Sequence, residues 1–205
     1  MSEYTSLEQH ASYGIGLQMG QQLADNPFDG LDITAVAAGL TAAYQGEEPA
    51  VSEELIRAAF TEISQRMQQA QAENAKVEAQ KGDEFLAENA KRAEVTVTES
   101  GLQFEVLTAG EGAKPSVSST VRTHYHGTLI DGTVFDSSYQ RGEPAEFPVS
   151  GVIAGWTEAL QMMPVGAKYR LYVPHELAYG ERGAGHAIPP FSALVFDVEL
   201  LAIVE

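Results

Sequence analysis

Leu7, Ala11, Ile15, Met19 and Leu23 recur every four residues and lay one apolar stripe along a predicted first helix. Ser6 opens that helix, with Gln9 in the capping-box position three residues on. Asp25-Asn26-Pro27 closes it. Gly16 and Gly20 also lie four apart. They either admit a neighbouring backbone or simply weaken the helix, by about 1 kcal/mol each. A second helix is predicted from Asp32 to about Gln45, with Ile33, Val36, Ala37, Leu40 and Tyr44 on one face and Gly46 as the stop. A third begins at Ser52. Glu53 and Glu54 fall in its first turn, where the helix dipole favours acids, and Val51 and Ile56 occupy hydrophobic-staple positions. No Pro or Gly intervenes before Gly82, and the pattern resumes through Phe85-Leu86 to Ala90. The helix would span roughly 30–40 residues, or about 45–60 Å. Leu55, Ile56, Ala59, Phe60, Ile63 and Met67 sit at core spacing in its early part. From Gln68 to Glu84, Val77 is the only large apolar residue, so this stretch is expected to be a solvated arm.

The grammar changes near residue 95. Ala, Gln and Glu give way to Val, Thr, Tyr, Phe, Gly and Pro in short alternating runs, which favours strands and turns. Strand candidates are Leu102–Leu107, Val121–His126, Ala145–Val149, Ala167–Val173 and Leu194–Ile203. Turns such as Gly110-Glu111-Gly112, Asp131-Gly132 and Pro164-Val165-Gly166 separate them. One short helix fits between Val152 and Met163, with Trp156, Leu160 and Met163 at compatible spacing. The whole reads as α+β: an all-helical N-terminal dimerisation region (1–50), a long connecting helix (51–95), and a C-terminal antiparallel sheet wrapped around one short helix (96–205). Three helices with so few large apolar residues make a poor core alone. Two copies pooling their stripes would remedy this, giving a homodimer through residues 1–67. A monomeric helical cap packed on the second half is the alternative.

Composition narrows the class of function. The chain has 205 residues, with 12 Lys+Arg against 29 Asp+Glu, a formal charge of −17. Phosphates would be repelled, so neither nucleic acid nor an anionic membrane surface is an expected partner. With no cysteine there is no disulfide, thiolate metal site or catalytic thiol. The start Met1-Ser2-Glu3-Tyr4-Thr5 lacks a secretory signal's basic and apolar segments, and no apolar run reaches membrane length. A soluble, cytoplasmic protein is expected. His124 and His126 lie two apart on a strand, facing away from Tyr125, and no third metal ligand accompanies them. Gly180, Gly183 and Gly185 form a glycine-rich loop without the strand-to-helix setting or basic residue of a phosphate cradle. A mobile loop on the substrate side suits them better. No metal and no cofactor is expected.

Five runs occur in order: Val121–Leu129 (VRTHYHGTL), Asp131–Ser138 (DGTVFDSS), Gly151–Ala159 (GVIAGWTEA), Leu177–Gly180 (LAYG) and Ile188–Leu201 (IPPFSALVFDVELL). Together they resemble the FKBP family, the macrolide-binding peptidyl-prolyl cis/trans isomerases, over about residues 100–204. The helical first half, with Ala11–Gly16 (ASYGIG), is similar to the dimeric bacterial branch related to the macrophage infectivity potentiator group. The resemblance implies an isomerase acting on proline-containing polypeptides, inhibited by macrolides, with a role in protein folding. The alternative is a chaperone-like docking protein whose pocket is catalytically weak.

Carried over by motif position, Trp156 becomes the floor beneath the prolyl ring, and Tyr125, Phe135, Phe147 and Phe196 the aromatic walls. Val152 and Ile153 line one side, with the Ile153 N–H available to a substrate carbonyl. Tyr179 offers its hydroxyl, and Ile188 closes the loop side. Asp136 is the polar group at the rim, acting on the twisting amide, with Arg141 placed to keep it ionised and oriented. Taken without the resemblance, the aromatics read as core and Asp136 as a turn residue before Ser137-Ser138. Two positions depart from the family pattern: Ala184 stands where many members carry His, and Ala145 where an aromatic is common. Both would open the rim and bear on macrolide affinity and substrate preference.

Overall fold

Local chemistry fixes the helix ends. In the computed structural model, which describes residues 4–25 and 27–204, helix α1 runs Leu7–Asp25. Its capping box is formed: the Gln9 N–H donates to Ser6 Oγ, and the Gln9 side-chain oxygen accepts from the Ser6 N–H, both at 3.1 Å. Two donors left unpaired by helix geometry are thereby satisfied. Asn26, within the predicted stop, lies outside the described residues, as do Met1, Ser2, Glu3 and Glu205. Helix α2, Ile33–Gln45, begins on Asp32, whose carboxylate accepts from the Thr34 and Ala35 N–H groups. It ends on Gly46 at φ +70°, a left-handed position that a side chain would strain. Ser52 caps helix α3, Glu53–Asn89, through the Leu55 N–H at 3.4 Å. No helix among the described residues is long and apolar enough to cross a membrane.

The chain divides into two compact units, residues 1–70 and 71–205. In the first, no described residue is buried. Leu7, Ile15, Leu55 and Phe60 are each more than 60 % exposed, and Tyr44 is 91 % exposed. Most of the predicted apolar positions are exposed in the single chain, while Leu23, Val36 and Ile63 are half-buried.

The second unit begins inside α3. Ala75, Glu78, Ala79, Gly82, Phe85, Leu86 and Asn89 share one helical face, and all are half-buried or buried. The Phe85 ring lies 5.9 Å from that of Tyr172. Asn89 donates to the Gln103 side chain, which in turn donates to the Leu86 carbonyl, each at 2.9 Å. Just beyond the helix, Arg92 reaches the Tyr172 hydroxyl at 2.8 Å and Glu105 at 2.7 Å. The expectation of a solvated arm over Gln68–Glu84 is therefore corrected for its later part. Small residues carry the buried face here, and Gly82 marks a close approach to Ala193, a signal that a search for large apolar residues passes over.

The sheet contains β1 (Thr96–Val97), β2 (Gln103–Thr108), β3 (Thr120–Leu129), β4 (Val134–Ser137), β5 (Ala145–Pro148), β6 (Lys168–Val173) and β7 (Leu194–Val204). The order is β1-β2-β6-β7-β3-β4, with β5 also on β3, and every pairing is antiparallel. A four-residue helix, α4 (Ser138–Arg141), follows β4 directly. β1, β4 and α4 are too short to show a period, and the sequence pattern misses all three. Helix α5, Ala154–Met162, lies against the sheet with Trp156, Ala159 and Leu160 buried. Leu102, Leu160, Met163, Leu171, Leu194 and Leu200 are fully buried between helix and sheet.

A Cβ on Gly82 would stand 3.2 Å from the Ala193 Cβ. Gly82→Val is thus expected to destabilise the protein by about 1–3 kcal/mol. The same change on a solvent-facing helical turn would be mildly stabilising. Urea denaturation measures the sign, and a gain in stability would show that α3 does not press on Ala193.

Candidate active site

Alternation along β3 turns Val121, Thr123, Tyr125 and Gly127 to one face and His124 and His126 to the other. On that inner face Trp156, from the first turn of α5, is 4 % exposed. Three rings meet it edge-on: Tyr125 at 5.3 Å, Phe147 at 5.9 Å and Phe196 at 5.3 Å between centroids. Phe135 packs edge-on against Phe196 at 5.4 Å. Such perpendicular contacts are favoured by the ring quadrupoles, and they leave the space in front of Trp156 unfilled. The result is a cavity of about 410 Å³. The indole N–H of Trp156 is buried without a hydrogen-bond partner.

The predicted residues divide plainly. Tyr125, Phe135, Asp136, Phe147, Val152, Ile153, Trp156, Tyr179 and Phe196 all line the cavity. Ile153 caps the N-terminus of α5, where leading N–H groups have no helical partner. Tyr179 stands 41 % exposed at the mouth. Ile188 does not line the cavity. It is 6 % exposed, packs within the core, and bridges to Ala184 through paired backbone bonds of 2.9 and 3.1 Å. Arg141 is also absent from the lining and stands behind Asp136. Ala145 and Ala184 are half-buried against the core.

Two glycines escaped the sequence reading. Gly151 lines the cavity beside Val152. Gly127 lies opposite Asp136 in the β3–β4 ladder, and a Cβ there would fall 2.7 Å from Phe135 Cε2 and 2.9 Å from Phe196 Cε1. Only a residue without a side chain lets those two rings close over β3. The signal was available as a Gly inside a strand pattern, which marks close approach.

One polar corner completes the wall. The Tyr125 hydroxyl donates to Asp136 Oδ2 at 2.5 Å. Arg141 pairs with Asp136 Oδ1 and donates to the Tyr125 oxygen at 2.8 Å. The guanidinium also lies over the Tyr125 ring, 5.4 Å from its centroid. Local structure sets this up: Ser137 Oγ accepts from the Gln140 N–H and caps α4, so the helix carries Arg141 back toward β4. Burial pushes the Asp136 carboxyl up, but the Tyr125 hydroxyl and Arg141 outweigh it and hold it below the usual carboxylate range. Burial, then the bond to Asp136, raises the Tyr125 phenol. At neutral pH the corner is therefore a carboxylate, a neutral phenol and a guanidinium. The Asp136 side chain accepts from the Tyr125 phenol and pairs with Arg141, and does not simply serve as a turn residue. Among the described residues there is no group of three or more His, Asp or Glu side chains able to hold a metal ion.

Two family models match the chain. One, described as FKBP-type peptidyl-prolyl cis-trans isomerase, covers residues 111–201. The other, described as the domain amino terminal to FKBP-type peptidyl-prolyl isomerase, covers residues 8–106. The chain is 55 % identical to the FKBP-type 22 kDa peptidyl-prolyl cis-trans isomerase of Escherichia coli K12, over 98 % of this chain and 97 % of that protein. It is 41 % identical to the outer membrane protein MIP of Legionella longbeachae, over 94 % and 84 % respectively. The crystal structure of FkpA from Escherichia coli superposes with a TM-score of 0.73 at 36 % identity, covering 98 % of each chain.

Because Asp136 is held low, its pairing contributes stability that is present above about pH 4, the ordinary carboxylate value. That contribution is lost only as pH falls through the lower folded value. A carboxyl-carbon NMR titration is expected to place Asp136 below an ordinary aspartate, and Arg141→Met to move it upward. An unmoved midpoint in the variant would show that Arg141 does not hold the charge.

Proposed function

The chain belongs to the FKBP-type peptidyl-prolyl cis-trans isomerases, and we propose that it turns X-Pro bonds of unfolded or folding polypeptides in the aromatic cavity over Trp156. The observation that carries the reading is a ring-walled cavity with the Asp136 carboxyl group, bonded to Tyr125, in its side. The reaction breaks no covalent bond. It rotates a partial double bond across a barrier of about 18–20 kcal/mol, which leaves free X-Pro bonds exchanging over tens to hundreds of seconds. At the top of the barrier the amide has lost its resonance and much of its charge separation. An apolar, water-poor cavity favours that state over the planar one.

In this reading Trp156 supports the prolyl ring from below, and Tyr125, Phe135, Phe147 and Phe196 confine it. Val152 and Ile153 hold one flank, and the Ile153 N–H receives a substrate carbonyl. Tyr179 offers its hydroxyl at the mouth. Asp136 accepts from Tyr125 and from Arg141, and the carboxylate acts on the twisting amide through its field or a hydrogen bond to a free acceptor site. Arg141 serves by keeping that carboxylate charged and oriented. The same cavity is the proposed seat of macrolide inhibitors.

The exposed apolar face of the first unit supports association of two copies through residues 1–67. A dimer would offer a client two linked pockets, raising the effective concentration at the second contact. In sedimentation equilibrium at micromolar concentration the chain is expected to have twice its sequence mass, and a monomeric mass would remove this part of the reading.

Catalysis is tested by refolding of a proline-limited substrate protein. Asp136→Ala and Phe135→Ala are each expected to lower kcat/KM by at least about tenfold, or roughly 1.4 kcal/mol in the barrier, while the folded state persists. Undiminished activity in both would dismiss the cavity as the site of rotation.

A further inference from the structure

Ser138 is the first residue of α4 and is fully buried. It sits where β3 lacks a strand neighbour. On the edge of β3 away from β7, β5 pairs with Thr120, Val121, Arg122 and Thr123, and β4 pairs with His126, Gly127 and Thr128. Neither strand pairs with Tyr125, because the chain leaves β4 at Ser137 and turns into the helix. Buried backbone polar groups need partners, and one hydroxyl supplies both here. The Tyr125 N–H donates to Ser138 Oγ at 2.7 Å, and the Ser138 O–H lies 3.2 Å from the Tyr125 carbonyl. His124 Nδ1 lies 3.0 Å from Ser138 Oγ, its ring stacked on Tyr139 at 4.6 Å.

A hydroxyl both accepts and donates, which neither alanine nor valine can do. The clamp holds the backbone of the very residue whose phenol reaches Asp136 at 2.5 Å. We propose that Ser138 is a positioning residue of the isomerase site: its buried hydroxyl replaces the missing strand partner of Tyr125 and so fixes where the Tyr125 hydroxyl meets Asp136. The proposal rests on the reading of Tyr125 and Asp136 as parts of that site. Ser138 touches no substrate and acts only through Tyr125.

The test is a double-mutant cycle on isomerisation of a short X-Pro peptide, comparing Ser138→Ala, Tyr125→Phe and the double variant of the full chain. Misplaced reacting groups cost on the order of tenfold to a hundredfold, so Ser138→Ala is expected to lower kcat/KM by that range. In the Tyr125→Phe background the same change is expected to cost almost nothing further, because the hydroxyl it positions is gone. A purely structural role would not give this coupling. Should the alanine variant fail to fold, Ser138→Cys, of similar shape but weak in hydrogen bonding, takes its place in the cycle. Full activity in the Ser138 variant, or a loss that adds in full to that of Tyr125→Phe, overturns the positioning role. If Tyr125→Phe itself is fully active, the assignment of Tyr125 to the site falls, and the proposal with it.

Discussion

Everything in the second unit turns on keeping the space in front of Trp156 walled by rings and yet empty. Packed interiors collapse into voids wherever side chains can move. Here the walls come from separate stretches of backbone: Tyr125 on β3, Phe135 on β4, Phe147 on β5 and Phe196 on β7. Each ring is held by a different strand, and three of them press edge-first on a single indole. Edge-on contact is what prevents filling, since a ring standing perpendicular to its neighbour cannot also lie flat across it. Gly127 enters the same account. Any side chain there would meet both Phe135 and Phe196, so the missing Cβ is part of the wall's geometry.

Polarity is confined to one corner, and the corner is closed on itself. Arg141, Asp136 and Tyr125 form a triangle in which each member contacts the other two. The charge of the carboxylate is stabilised from behind by Arg141, so none of the apolar wall must solvate it. Burial alone would raise the carboxyl's pKa, and the phenol and guanidinium outweigh that effect. The triangle lets a charged group sit at the edge of a cavity walled mainly by rings.

What the sequence disclosed follows the length of the signal. The three helices of the first 90 residues were readable to within a residue at most ends, because Ser6, Asp32, Gly46 and Ser52 act through local hydrogen bonds that need no tertiary partner. The strand alternation around Tyr125 and Phe196 was equally legible. The cavity was not. Nothing in the period of β3 separates a ring that fills a core from one that borders a void, and only the resemblance of five motifs chose between them. Ile188 shows the limit of that route: its motif position suggested the loop side of the cavity, and it is not among the residues that line it. Ser138 and the four-residue helix α4 were illegible for a different reason. Their roles come from what approaches them across the fold, and a single chain of letters carries no record of that.

The long helix shows how one element can carry two instructions. Its first half presents Leu55, Ile56 and Phe60, large side chains that stay exposed in the single chain. Its later turns present Ala75, Ala79 and Gly82 instead, half-buried or buried, with Gly82 close on Ala193. Large side chains at core spacing are costly to leave in water, and they have value only if another surface covers them. Small ones do the opposite, since they let two backbones approach until polar groups such as Asn89 and Gln103 can pair. The same apolar count would therefore mislead in both halves: it overstates burial where the residues are large and understates it where they are small. Reading the size of the residues on a face, and not only their hydrophobicity, separates a helix face left exposed in the single chain from one already seated on its own sheet.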